Sequence, residues 1–365
     1  MSQDAFPPVC DAPSEEGSCR NQEGSSSERS ILLSTKTLTA ISAIALVVAA
    51  CGSSSATAET PATTSASVSA TEAPSSAGAS TTSSPLTTAI DVVGFPVTVE
   101  TASGSVTIPA RPERIVSLSP TSTEVLFAIG AGEQVVAVDN QSNYPSEAPA
   151  TDLTGFDPNL EAIAGYGADL VILMYDPGEV VAGFEALGIP VVMHPAAWTL
   201  DEAYAQIEQL GAATGHVAEA TELVESMRSE IAEIAGTTDG DGATYYHELS
   251  PDYYTVTAAT FVGTLYEMLG LANIADGADP DGYGYPQLSP EHILAENPTL
   301  IFLADTKCCG QDSEAVAGRP GWDLLTAVQS RAISELDDDI ASRWGPRIVD
   351  LFRTIAVTVD GQQDG

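Results

Sequence analysis

Apolar and polar positions change rhythm along this chain in a way that marks its elements. Val92–Val99 and Val106–Ile108 alternate on either side of Ser103-Gly104, which predicts a short hairpin. Ile115–Leu118 is a brief apolar run of the kind that forms a buried strand. After Pro120, the residues Val125, Leu126 and Ile129 recur at helical spacing until Gly130. Thr121-x-x-Glu124 reads as a capping box, in which Thr121 accepts from the first free amides and Glu124 reaches back. Val135–Val138 is the next strand, and strand, helix, strand in this order predicts a parallel sheet.

The rhythm then returns in two copies that align without a gap. Asn159–Ala164 leads to Asp169–Leu173, and Ser289–Leu294 leads to Thr299–Leu303. Each copy has a glutamate near a helix start (Glu161, Glu291), an apolar pair, a small-residue turn and a buried strand. A weaker match pairs Thr123–Gly130 with Gly263–Gly270. One lobe is therefore expected to be built twice. Between the copies, Thr199-x-x-Glu202 opens a helical tract that continues through Ile207, Leu210, Leu223, Met227, Ile231 and Ile234 to Gly236, with Gly215 as an interruption. A nearly continuous tract would span roughly 50 Å. The expected fold is α/β: two Rossmann-like lobes, 91–198 and 237–365, joined by a long rigid helix at 199–236, with a ligand cleft between them. A rigid link predicts a small closure angle.

The segment ahead of this body cannot fold in the same way. An apolar stretch from Leu38 to Ala50 follows Lys36; it has the length of a secretion-signal core and is too short to span a bilayer comfortably. It ends in Val48-Ala49-Ala50-Cys51-Gly52, which resembles the lipobox of bacterial lipoproteins. The segment after it, up to residue 90, is almost all Ser, Thr, Ala, Pro and Gly, too polar to offset chain entropy by burial. Residues 1–50 thus read as a lipoprotein signal peptide, Cys51 as the acylated anchor and 51–90 as a tether. That layout places the body on the outer face of the cell membrane. The formal net charge of −39, with only 12 Lys and Arg and no basic run, excludes nucleic acid and anionic lipid surfaces as partners.

Ordered motifs bring the body close to a known type. Arg114-Ile115-Val116-Ser117-Leu118-Ser119-Pro120-Thr121-x-Thr123-Glu124-x-Leu126 resembles the opening of helical-backbone metal-receptor-type binding proteins, the class III periplasmic binding proteins that serve vitamin B12, heme and ferric siderophores. Asn143-Tyr144-Pro145, Pro158-Asn159-Leu160-Glu161, Gly188-Ile189-Pro190-Val191, Tyr285-Pro286-Gln287-Leu288-Ser289 and Gly345-Pro346-Arg347 follow in the order of the B12-binding branch. The resemblance covers about residues 92–360. It implies the solute receptor of an ABC importer, a monomer with no catalytic activity and no resident cofactor, working with membrane permease subunits. An iron chelate, heme or cobalamin would be its cargo.

The resemblance also assigns roles. Glu161 and Glu291 would dock into arginine pockets on the two permease subunits, since carboxylate–arginine pairs are directional. The cleft candidates are Gln141, Phe156, Tyr175, Asp176, Tyr253, Tyr254, Tyr285, Asp339 and Arg343. Phe156, Tyr175 and Tyr285 would hold a flat ring between aromatics, Asp339 would make a polar contact and Arg343 would pair with a ligand carboxylate. B12 receptors often carry tryptophan where this chain has Phe156 and Tyr285. On that count, and because one arginine in a tyrosine-rich cleft suits bulky anionic chelates, ferric siderophore ranks ahead of heme and corrinoid. Cys308-Cys309 is expected near the cleft rim, where an oxidised adjacent pair would close an eight-membered ring and stiffen the loop; ligation of iron by these sulfurs is the lesser reading.

The alternatives are a receptor for bare zinc or manganese and a surface-anchored hydrolase. Of the four histidines, His194 and His247 could approach the cleft, whereas His216 sits in the helical tract and His292 beside Glu291, too few for a metal site. No Walker A loop, H-E-x-x-H or G-x-S-x-G occurs, and Gly130-Ala131-Gly132 follows a helix rather than a strand.

Overall fold

Two parallel sheets organise residues 94–363, the part of the chain described by the computed structural model. The expected signal peptide, Cys51 and the tether lie outside these residues. Strands β1 (Val97–Thr101) and β2 (Gly104–Ile108) form the antiparallel hairpin. The first lobe follows with β3 (Ile115–Leu118), α1 (Pro120–Ala128), β4 (Val135–Asp139), β5 (Ala150–Leu153), α2 (Leu160–Gly165), β6 (Leu170–Leu173), α3 (Val180–Ala186) and β7 (Val191–Met193). Helices α4 (Leu200–Thr214) and α5 (Val217–Thr237) lead to the second lobe. It contains β8 (Thr244–Glu248), α6 (Phe261–Met268), β9 (Ala272–Asn273), α7 (Pro290–Glu296), β10 (Leu300–Leu303), α8 (Thr306–Cys309), α9 (Ser313–Ala317), α10 (Thr326–Ser330), β11 (Ile333–Glu335), α11 (Asp338–Ala341) and α12 (Ile348–Gln363).

The first sheet runs β5-β4-β3-β6-β7 and the second β11-β10-β8-β9, all neighbours parallel. Read from the other edge, β9-β8-β10-β11 repeats the order β4-β3-β6-β7, so the doubled lobe expected from the sequence repeats is present in the topology. Each sheet reverses its winding direction once, between β3 and β6 and between β8 and β10. Open α/β sheets receive ligands beyond the carboxyl ends of the strands at such a reversal.

Alternate strand residues feed different cores. Ile115, Leu170 and Ile172 face one side of the first sheet, while Val116, Val171 and Leu173 face the other beside Ile163 and Phe184. In the second sheet, Tyr245, Leu300 and Phe302 share a core with α4, α5 and α12, while Tyr246, Ile301 and Leu303 pack on Trp322 and Val316. The first of these cores is continuous across both lobes. The lobes are therefore joined by shared apolar packing as well as by a helix.

The 199–236 tract does not form one rod. Gly215 takes φ +79°, a left-handed conformation that costs glycine little, and ends α4. The chain then turns back, so that α5 runs antiparallel to α4. Arg228, far along α5, pairs with Asp201 at 2.9 Å and covers the Tyr204 ring at 4.2 Å, both near the start of α4. Gly211 makes this approach possible, because a Cβ there would lie 2.4 Å from the Ala220 Cβ. The link to the second lobe is the 21-residue α5, about 30 Å long.

The first capping box also differs from its sequence reading. Ser119, not Thr121, accepts from the Ser122 amide, with Pro120 as the first helical residue. Glu124 is drawn away from the helix start by partners far along the chain. At α4 half of the box forms: Thr199 accepts from the Glu202 amide, but the Glu202 carboxylate accepts from the Trp198 amide, one residue before the cap.

Candidate functional site

Most of the cleft candidates sit on loops that leave the carboxyl ends of the strands. Gln141 follows β4, Phe156 follows β5, Tyr175 and Asp176 follow β6, and Tyr253 and Tyr254 lie beyond β8. Tyr285 precedes α7. Phe156, Tyr175 and Tyr285 are 50%, 43% and 39% exposed. Tyr144, on the loop after β4, belongs with them at 46% and carries the Arg347 guanidinium 4.1 Å above its ring. Sequence reasoning passed over Tyr144 as a ligand contact, although it stands inside one of the diagnostic motifs. It also passed over Trp198, which stands with Met193, His194 and Gln206 on a groove of about 380 Å³ beside the end of β7.

Four candidates, Tyr253, Asp176, Arg343 and Asp339, make contacts within the protein. Tyr253 takes φ +66° and tilts against Trp322 at 6.1 Å, below Arg319 at 5.3 Å, so it packs the second lobe. Asp176 accepts from the Val180 amide at 2.7 Å and holds the entrance of α3. Arg343 differs most from expectation. Its Nη1 donates to Glu124 at 2.7 Å, and its Nη2 donates to the Gln141 carbonyl, Asn143 and Asp339 at 3.0, 2.9 and 2.9 Å. With Nη1 and Nη2 engaged by four partners and the residue 8% exposed, Arg343 serves contacts within the protein rather than an open surface.

These contacts make Arg343 a tie between the lobes. Glu124 of α1, also buried, accepts in addition from Nε and Nη2 of Arg347. Asn143 of the first lobe donates to Asp339 of α11, and Asp339 also accepts from Lys307 of α8 at 2.8 Å. Burial alone would raise the Asp339 carboxyl, but Lys307, Arg343 and Asn143 together hold it below the usual carboxylate range. One buried carboxylate thus secures two arginines from the opposite lobe, and α8 is tied into the same network.

Cys308 and Cys309 are not joined by a disulfide. They occupy the single turn of α8, where the Cys308 thiol lies within hydrogen-bonding reach of Cys309. His194 and His247 are buried, His194 against Gln209 at 2.8 Å and His247 against the Tyr266 hydroxyl at 2.8 Å. Burial pushes them down to about 4 and about 3. Among the described residues no group of three His, Cys, Asp or Glu side chains is arranged to hold a metal ion, and no helix is long and apolar enough to cross a membrane.

Glu161 and Glu291 are the second residues of α2 and α7, behind the caps Asn159 and Ser289, and both are exposed. Neither carboxylate caps its own helix, since Asn159 and Ser289 satisfy the Ala162 and His292 amides.

Known proteins share this architecture. The sequence profile of the periplasmic binding protein family matches residues 115–340. The chain is 33% identical over 277 residues to an uncharacterised ABC transporter substrate-binding lipoprotein of Bacillus subtilis, covering 73% of this chain and 86% of that one. It is 32% identical over 277 residues to a cobalamin-binding protein of Halobacterium salinarum, covering 72% and 73%. The solved structure of a periplasmic heme-binding protein from a Roseiflexus species superposes with a TM-score of 0.59 at 25% identity, covering 69% of this chain and all of that one.

Proposed function

The chain belongs to the periplasmic binding protein family, and from that premise we propose that the solute it captures for an ABC importer is a corrinoid. As a solute-binding component it has no catalytic role; it acts outside the cytoplasm, binds a small molecule and works with membrane permease components.

The observation that favours a corrinoid is that, among the described residues, each cation where the strands end is held by a carboxylate. Arg343 and Arg347 are held by Glu124, Arg319 by Glu248, and Lys307 by Asp337 and Asp339. Arg111, Arg114 and Arg331 precede β3 and β11, at the opposite edge of the sheets. Desolvating the carboxylates of heme or of an anionic iron chelate without a cationic partner is costly. A corrin ring carries mainly neutral carboxamides around a flat face, which suits exposed Phe156, Tyr175, Tyr285 and Tyr144. This reverses the order expected from sequence, which rested partly on a free arginine and partly on Phe156 and Tyr285 standing where B12 receptors often carry tryptophan. Cobalamin is also what the Halobacterium relative is named for.

The test is titration of the full chain with cyanocobalamin, hemin and a ferric tris-catecholate, whose complex carries three negative charges. Cyanocobalamin should bind at least tenfold tighter than the other two, about 1.4 kcal/mol; tighter binding of either anionic ligand would overturn the assignment. Glu161 and Glu291 serve as the permease contacts in this reading, so Glu161→Ala with Glu291→Ala should abolish uptake and leave solution affinity unchanged. Cys51 is read as the lipid anchor of a monomeric receptor, in keeping with the lipoprotein relative, and Cys51→Ala should release the protein from cells.

A further inference from the structure

Beneath the carboxyl end of the second sheet lies a polar group that solute binding does not use. Glu248 ends β8 and Asp305 follows β10, side by side at the point where that sheet reverses its winding direction. Both residues are 0% exposed. Arg319 grips Glu248 in a fork, Nη1 and Nη2 each 2.6 Å from a carboxylate oxygen, and also donates to Gln311 at 2.8 Å. Asp305 is different: neither of its oxygens accepts a hydrogen bond. The Ser250 hydroxyl is likewise buried without a partner.

An ionised Asp305 would be a buried charge with no donor, next to a second carboxylate whose one counter-ion is already engaged. Such a charge is among the costliest features a protein can carry. A proton removes the difficulty, because a carboxylic acid at Asp305 can donate to Glu248. The other ionisable groups that face Asp305 do not substitute for it. They are the Asp338 carboxylate of α11, the Tyr246 phenol of β8 and the Cys308 thiol of α8, none of them cationic, while Lys307 is drawn to Asp337 and Asp339. Glu335 of β11 is occupied by Ser313. Burial, with Glu248 alongside, pushes the Asp305 carboxyl up to about 8.

Asp305 also heads α8. Its carbonyl accepts from the Cys309 and Gln311 amides, while Asp338 accepts from the Thr306, Lys307 and Cys308 amides on the other side of the same turn. Through Lys307 and Asp339 that turn reaches Arg343 and Asn143, the tie between the lobes.

We propose that Asp305 and Glu248 form a buried acid pair that holds one proton in the resting protein, and that loss of this proton is transmitted through α8 to the tie between the lobes, so that solute capture weakens in alkaline conditions. The pair stands on its own geometry; its effect on capture rests on the cleft being the solute site.

Infrared spectra of the full chain, with Asp305→Asn and Glu248→Gln beside it, test the first part without any solute. The native protein should show a protonated carboxylic acid band at neutral pH that disappears as pH rises through about 8, and Asp305→Asn should lack it. Absence of a titrating band, or its survival in Asp305→Asn, overturns the acid pair. Amide exchange of residues 306–310, corrected for intrinsic rates, should quicken above that pH in the native chain and not in Asp305→Asn, in which an amide replaces the acid as donor. Unchanged exchange overturns transmission through α8. Cyanocobalamin affinity should fall about fivefold or more across the same interval in the native protein and stay level in Asp305→Asn; a pH-independent native affinity overturns the link to capture. Failure of cyanocobalamin to bind at any pH would instead count against the solute assignment, leaving the infrared and exchange results to judge the pair.

Discussion

Glu124→Gln is the substitution that best separates a working tie between the lobes from surface decoration. The native carboxylate is 1% exposed and accepts from Arg343 and from two nitrogens of Arg347, which are 8% and 15% exposed. Glutamine keeps the shape, but it removes the negative charge and turns one acceptor into a donor aimed at a guanidinium. Removing one member of a buried ion pair costs about 3–5 kcal/mol, because the remaining charge is left uncompensated. Asp339, 25% exposed, still faces Arg343 at 2.9 Å, so the lower end, about 3 kcal/mol, applies. For a body of this size that corresponds to a fall of about 6–12 °C in melting temperature. Urea denaturation and thermal melts at low and high salt supply the measurement. The loss should persist in salt, since buried pairs are poorly screened. Asp201→Asn is the control: its pair with Arg228 is 82% and 52% exposed, so the change should stay under about 1 kcal/mol. A Glu124→Gln loss as small as the control's would refute the reasoning.

Three further outcomes follow from other parts of the fold. His194 and His247 are held below their usual value, so the unfolded chain takes up their protons first; stability should fall as pH drops from about 6.5 toward about 3, and His247→Phe should flatten that acid limb in denaturation curves. Gly211→Val should push α4 from α5, because even a Cβ meets Ala220 at 2.4 Å, at a cost of about 1–3 kcal/mol in urea melts. Phe156→Ala, at a half-exposed ring, should leave the melting temperature nearly unchanged yet weaken cyanocobalamin about tenfold by titration.

Local signals made much of the fold legible. Asn159 and Ser289 cap their helices, and the apolar runs after them become fully buried strands, because capping and burial are decided within a few residues of the chain. What escaped the sequence depended on partners far along it. Glu124 satisfies a capping-box pattern and an arginine clamp equally well, and nothing near residue 124 announces Arg343 and Arg347. The fold-back of α4 onto α5 had a faint marker in Gly211, a small residue at a helix contact, but a continuous helix fits the same apolar spacing. Asp305 reads as an ordinary polar residue after a strand. Its significance arises only because Glu248 ends the neighbouring strand and Arg319 chooses Glu248.

The charge economy of the molecule then bears on how solute leaves. In a chain with net charge −39, the few cations near the strand ends are locked onto buried carboxylates. Arg343 and Arg347, which reach across to Glu124, can resist separation of the lobes, as can the core that runs through both. Opening the cleft means disturbing the Glu124 contacts, a change that thermal motion achieves rarely and a docked permease could promote. Association requires only diffusion to exposed aromatic surfaces and is less sensitive to the tie. Glu124→Gln should therefore raise the dissociation rate of cyanocobalamin several-fold while its association rate stays within about twofold, since affinity within one complex varies mainly through dissociation. Stopped-flow mixing resolves the two rates. Equal dissociation rates in the native and variant proteins would mean that the arginine clamp stabilises the fold without governing release.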